Sequence, residues 1–388
     1  MPFFGGRGPS ERATMNMKKV LIALAAIAAT AACNCPQGLP GAADPKDFKA
    51  DGIALYTLKA GDIVLQATNY GGRVVSIFTP DRNGNLTDIA VGHRTLEEYR
   101  NPVGERFLGA CVGPVANRLG GAGFDVDGEH FSTPANDNKV NTLHGGFTGL
   151  DHVVWNVVSA DDSTLVLNYV HPDGQEGYPG NLDITMTYAL GADNSFTVTY
   201  SATTDKPTPV NISHHSFFNL RGEGCGSIEE YKLRIFADRF IPIDTLSIPT
   251  GEILPVEGTP FDFREERLIG ERIDDPDCPQ IAAGHGYDHN WCLNGPCGVI
   301  RPACAVYDPV SGRVIEVLTD QSGLQFYSGN FFDGSTFGKN GRPLKRRSSL
   351  VFETQKWPDS PNHPGFTDVI LRPGETYTHT CIYRFRSR

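Results

Sequence analysis

Two histidines stand side by side in Asn211-Ile-Ser-His-His-Ser-Phe-Phe-Asn-Leu220, a run that otherwise reads as an apolar, aromatic strand. Histidine titrates near neutral pH, so it can serve as an acid, a base or a metal ligand. Strand geometry sorts the pair, because successive side chains point to opposite faces. One face carries Asn211, Ser213, His215, Phe217 and Asn219, and the other Ile212, His214, Ser216, Phe218 and Leu220. The first face is more polar and suits a cleft; the second ends apolar and suits packing. Chelation of a metal by both histidines is therefore disfavoured, and His215 is the better candidate for chemistry. A second signal is Glu353, set inside Leu350-Val-Phe-Glu-Thr-Gln-Lys-Trp357. A carboxylate in an apolar strand is desolvated unless it is paired or hydrogen-bonded; the plain alternative is a glutamate on an edge strand, in water. Three weaker signals accompany these. Asp288 and Asn290 share a face in Gly286-Tyr-Asp-His-Asn-Trp291, and Ala116-Asn117-Arg118-Leu119 precedes G-G-A-G-F. In Thr142-Leu-His-Gly-Gly146, His144 precedes two glycines that let backbone approach a ligand.

The elements that must position these residues are strands. Ile63–Tyr70, Thr164–Val170, Leu182–Tyr188, Ser195–Tyr200, Val314–Thr319 and Thr376–Tyr383 are rich in β-branched and aromatic residues. Turn clusters at 81–85, 171–180, 191–194 and 308–312 separate them. Helical periodicity is scarce, with one short turn expected over Thr95–Arg100. The pattern predicts an all-β fold, one large antiparallel domain over 48–388 in stacked sheets.

Composition narrows the partners. The net charge of −11 argues against a nucleic-acid partner, which usually requires a basic patch. The one tight basic run, Lys345-Arg346-Arg347, lies in a turn-like stretch and reads as a solvated loop. At the N-terminus, Lys18-Lys19 precede an apolar run of about 13 residues, Val20 to Ala32. That matches a signal peptide and is shorter than the ~20 residues that span a membrane. Met17 is the expected start, with residues 1–16 an extension, and Asn34–Pro45 is expected to be a tether. Ala31-Ala32-Cys33 resembles a lipoprotein box, so a lipidated Cys33 and simple cleavage both stay open. The chain is expected to be exported, to the periplasm or cell envelope, as a monomer or weak dimer. Nine cysteines occur without a C-x2-C pair, which disfavours zinc. The 278–304 cluster could hold a disulfide, or the thiols could be free and buried.

Taken together, the stretches N-R-L-G-G-A-G-F, T-L-H-G-G, H-S-F-F-N-L, G-Y-D-H-N, L-Q-F-Y-S-G-N-F, G-K-N-G and F-E-T-Q-K-W-P-D-S-P-N-H-P resemble the aldose 1-epimerase (mutarotase) family over nearly the whole mature chain. The resemblance implies a β-supersandwich, an open cleft for a free sugar and no cofactor or metal. It implies His215 as general acid and Glu353 as general base. Asn117, Arg118, His144, Asp288 and Gln325 match positions that hold sugar hydroxyls. His214, Phe217 and Trp357 depart from the family's usual residues; Phe217 lacks a hydroxyl on the His215 face and so bears on sugar preference. An aromatic floor is expected from Phe217 or Trp291, with Trp291 equally open to a place in the core. Ordinary pKa values of about 4.3 and 6.5 would leave Glu353 ionised and about a quarter of His215 protonated at pH 7. A nearby carboxylate such as Asp288 would raise that fraction. A glycoside hydrolase using Glu353 and Asp288 is one rival reading. A non-catalytic carbohydrate-binding lipoprotein is a second, and a sugar-phosphate epimerase, which should show a more basic cleft, is a third.

Overall fold

A computed structural model of the chain describes residues 39–388. The expected signal segment, Cys33 and the first five residues of the tether, 34–38, lie outside these residues. The chain is held on the domain before residue 48. Ala43 is buried and exchanges two hydrogen bonds with Gln66, at 2.9 and 3.1 Å. Pro45–Phe48 then forms a turn of 3-10 helix that buries Phe48.

Every expected strand is present within a few residues of its predicted ends, and strand pairing is antiparallel throughout the large sheets. The expected helical turn is Leu96–Arg100, started by a capping box between Thr95 and Glu98. A nine-stranded sheet runs from Asn156–Ala160 at one edge to Arg267–Leu268 at the other. Near its middle the last strand, Tyr377–Ser387, lies between Ser195–Thr204 and Arg313–Thr319. Leu182–Leu190 alternates buried and more open positions along its length, the period-2 signature of a sheet with one face on a core.

A seven-stranded sheet covers that face. Its order is Leu254–Pro255, Ala237–Ile241, Asp288–Leu293, Gly323–Tyr327, Leu350–Gln355, Phe217–Phe218 and Ala90–Val91. Tyr383 of the first sheet packs on Phe218 of the second at 5.4 Å between ring centroids, and its hydroxyl donates to Phe352 O at 3.0 Å. The shared core includes Tyr188, Phe196, Trp291, Phe326 and Phe352. Each such side chain contributes about 1.5–3 kcal/mol by leaving water. Trp291, open between sugar floor and core from the sequence, is core. Leu350–Gln355 is interior to its sheet and buried along its whole length, which removes the edge-strand reading of Glu353.

The seven described cysteines are all free thiols, so no bridge forms within 278–304. The basic run is not a simple solvated loop. Arg347 is buried and ion-paired with Asp274 at 2.6 Å and Glu229 at 2.8 Å.

Candidate active site

Strand register brings the sequence-distant candidates into one row. Gln325 stands directly opposite Glu353, and Asn290 opposite Gln325. Asp288 is two residues from Asn290 on the same face. On the other side Phe217 pairs with Val351. Continued by two residues, that register sets His215 across from Glu353, although the strand breaks at Ser216 into Ser213–His215 and Phe217–Phe218.

The face that sequence analysis assigned to His215 fastens this junction. Asn211 accepts from Lys356 N at 2.8 Å and donates back to Lys356 O at 3.0 Å. Ser213 Oγ donates to Thr354 O at 2.9 Å. These bonds fix the strand just beyond Glu353, and His215 Nε2 lies 3.6 Å from its Oε1. His214 points the other way, as alternation requires. Its Nε2 meets Tyr188 Oη at 3.0 Å and its Nδ1 meets Ser216 Oγ at 3.0 Å, within the core. Phe217 lies 4.9 Å from the His215 ring, fully buried between it, Tyr327 and Phe332. It supports His215 from beneath, and its ring does not line the cleft.

A cavity of about 370 Å³ opens above the row and is lined by His215, Glu353, Asp288, Asn117, Arg118 and His144, among others. Size alone does not select it, because a cavity beside Pro40 and Asn340 is larger, at about 440 Å³. Its titratable cluster does. Six of the seven expected residues meet here. The seventh, Gln325, sits behind the wall and reaches the cleft through Asp288, donating to Oδ1 at 2.8 Å.

Asn117 and His144 hold each other in place. His144 N donates to Asn117 O at 2.9 Å, and Asn117 N donates to His144 Nδ1 at 3.0 Å. The second bond leaves the His144 proton on Nε2. Both residues have positive φ, 61° and 52°, conformations sustained by this pairing. The glycines after His144 serve backbone packing and not a ligand: a side chain at Gly145 would strike Gly113 O, and one at Gly146 would strike Glu176. Arg118 donates from Nε to Asp137 at 2.9 Å. The proline-rich tail of the Glu353 strand docks on the Asn117 segment. Asp359 accepts from Gly120 N at 3.0 Å, and Asn362 donates to Gly123 O at 3.1 Å. Two stretches more than 230 residues apart are thereby clamped as one unit.

Burial dominates the electrostatics. It pushes His215 down to about 3, and the His144 imidazole well below its ordinary value. It pushes Glu353 well above the ordinary carboxyl value, with Asp288 adding to the rise and Arg118 opposing it. This corrects the expectation of an ionised Glu353 and a partly charged His215 in the free protein. It also relocates the influence of Asp288, which falls on Glu353; the charges that act on His215 are those of Arg73 and Asp151. The approach of His215 to Glu353 favours the ion pair and so opposes both shifts. His215 Nδ1 and Glu353 Oε2 are buried without a protein partner, so the pair retains hydrogen-bonding capacity for a ligand. His144, His215 and Glu353 each bring a ligand-type atom within 4.8 Å of the others, but with Nδ1 accepting from Asn117 and the proton on Nε2 the His144 ring has no free lone pair for a cation.

Sequence reasoning missed part of the wall. Glu105, Arg106 and Phe107 line one side, and Tyr327, Phe331 and Thr336 another. Phe107 stands edge-on to His144 at 4.6 Å. Tyr327 and Phe331 lie within the quoted L-Q-F-Y-S-G-N-F stretch, and the first side is marked in the sequence by a charged Glu-Arg pair in the turn N-P-V-G-E-R-F.

The sequence profile of aldose 1-epimerases matches residues 54–384. The galactose mutarotase of Mus musculus is 39% identical over 338 residues, 86% of this chain and 94% of that protein. The aldose 1-epimerase of Escherichia coli K12 is 36% identical over 326 residues, 83% and 92% of the two chains. Among solved structures, a GalM/aldose epimerase homologue from C. elegans aligns with a TM-score of 0.78 at 27% identity, covering 86% of this chain and 99% of that one. A galactose 1-epimerase from Lactobacillus acidophilus aligns with a TM-score of 0.75 at 29% identity, covering 86% and 95%. With its paired imidazole and carboxyl at the floor of a sugar-sized cleft, this chain belongs to the aldose 1-epimerase family.

Proposed function

We propose that the protein interconverts the α and β anomers of free aldoses such as galactose and glucose, with His215 and Glu353 as its acid–base pair. The observation that carries this reading is their 3.6 Å approach, buried, at the base of the cleft. Ring opening removes the proton of the C1 hydroxyl and delivers one to the ring oxygen. The C1–O5 bond then breaks, the C1–C2 bond turns, and closure on the other aldehyde face runs with the two roles exchanged. One mobile proton suffices throughout. In the free protein, burial favours the neutral imidazole with the protonated carboxyl. Hydroxyl donors of a bound sugar favour the carboxylate, and a hop between the two groups then gives imidazolium and carboxylate. Glu353 takes the C1 proton and His215 serves the ring oxygen. Asn117, Arg118, His144 and Asp288 bind the remaining hydroxyls, with Gln325 fixing Asp288. Each proton transfer accelerates the reaction by about 10²–10⁴-fold.

Two features weigh against the rivals. A hydrolase needs a second carboxyl as its acid, whereas a histidine stands opposite Glu353. A module that only binds has no use for a buried acid–base pair. The reading extends to export through the Lys18–Ala32 segment, and mass spectrometry of the mature N-terminus tests lipid on Cys33.

Polarimetry of fresh α-galactose and α-glucose tests the activity, and its pH profile tests the shared proton. The singly protonated pair persists from the lowered value of His215, about 3, up to the raised value of Glu353. Below that range His215 gains a second proton and no base remains; above it the one proton is lost and no acid remains. The expected kcat/KM therefore falls on the acid side near 3, where His215 gains its second proton, and not at the ordinary imidazole value of about 6.5. A titration centred there would show that His215 behaves as an ordinary solvated imidazole and would remove the shared-proton reading.

A further inference from the structure

Glu105 lies on the cleft wall, part-buried, in a turn fixed from both sides. Its own N–H donates to Thr336 Oγ1 at 3.1 Å. Gly104 before it has φ +82°, and a side chain there would collide with Thr336, so the turn approaches that strand as only glycine allows. Arg106 after it is held by Asp151 through two bonds of 2.8 and 2.9 Å, and donates to Phe147 O at 2.9 Å. Its guanidinium sits 5.0 Å over the Phe107 ring. The Glu105 carboxyl thus has a set position. One oxygen accepts from Phe107 N at 2.8 Å. Among the described residues Glu105 has no ion pair with Lys, Arg or His. Its charge is felt by Glu353 and Tyr327, and it in turn feels Asp288. Burial raises its pKa, and Asp288 adds to the rise while Arg73 and the Phe107 N–H oppose it.

Of the other cleft carboxyls, Asp333 is exposed and accepts from Ser335 N, and the two buried ones have side-chain partners, Gln325 for Asp288 and His215 for Glu353. A part-buried carboxylate without a cation is costly unless donors reach it, and it accepts at up to about four lone-pair sites. The donors a pyranose offers are its hydroxyls. Glu353 and His215 take the anomeric hydroxyl and the ring oxygen, which leaves the others. We propose that Glu105 accepts a hydrogen bond from one non-anomeric hydroxyl of the bound aldose and so contributes to the choice of sugar. The inference rests on the anomerase reading of the site.

The test compares wild-type protein, E105Q and E105A on an aldose and its monodeoxy analogues, with KM from polarimetry and Kd from calorimetry. Loss of one charge-assisted hydrogen bond corresponds to about a tenfold rise in KM for E105A. One deoxy analogue, lacking the partner hydroxyl, should bind wild type and E105A equally, while every other analogue keeps the tenfold gap. E105Q retains an acceptor for Phe107 N but loses the charge, and should fall between. A merely structural turn would show E105Q silent and E105A weakened by one factor for all sugars, which would overturn the proposal, as would an unchanged KM. If wild type left every aldose at the water rate, the anomerase reading would fall, and the same Kd series would still decide the role of Glu105.

Discussion

Glu353→Gln lowers kcat by about 10²–10⁴-fold, the range for loss of one positioned proton-transfer group. The substitution keeps volume and one carbonyl oxygen, so a strand buried along its length and fastened through Asn211 and Ser213 stays in place. His215→Asn produces a loss of the same order. Because the two residues share one proton, the double variant is little worse than either single one. Polarimetry on folded protein, with circular dichroism as control, reads both. A near-normal rate from either single variant would remove that residue from the mechanism. Fully additive losses would remove the shared proton.

The largest expected loss of stability lies away from the chemistry, at Lys339 in the G-K-N-G stretch. Its ammonium is buried 3.2 Å from Asp88 and 3.4 Å from Glu223, and donates to Val75 O and Ala90 O at 2.6 and 2.7 Å. Burial would pull the ammonium down, but the two carboxylates outweigh it and hold Lys339 above its ordinary value. Glu223 also accepts from Gly92 N at 3.1 Å and Asn340 N at 3.0 Å. Lys339→Met leaves both acids buried without their cation, a loss of about 3–5 kcal/mol. The Asp333–Phe337 strand just before it lends Thr336 to the cleft, so KM should rise as well. Urea unfolding measures the first effect. A change below about 1 kcal/mol would mean that the acids find other partners or neutralise freely.

Much of this arrangement was legible in the residues. Alternation separated His214 from His215, and the structure gives them opposite faces, one in the core and one in the cleft. The β-branched runs located the strands because each has one face on a core. What was not legible depends on register between distant strands. Nothing near Glu353 announces that Gln325 is its neighbour, or that Gln325 is screened from the cleft by Asp288. Phe217 and Trp291 were candidate sugar floors because aromatic residues suit either role, and only packing assigns them to the interior. The protonation of the pair was misjudged for the same reason, since ordinary pKa values assume water and both groups are buried. Glu105 gave no periodic signal, because its place is set by Thr336, more than 200 residues away.

The decisive experiment is a crystal structure of the Glu353→Gln protein with an aldopyranose bound. C1 is expected over the pair, with the anomeric hydroxyl against residue 353 and the ring oxygen against His215. A sugar seated elsewhere, or with its anomeric carbon turned away from both, would contradict the acid–base roles of the two residues.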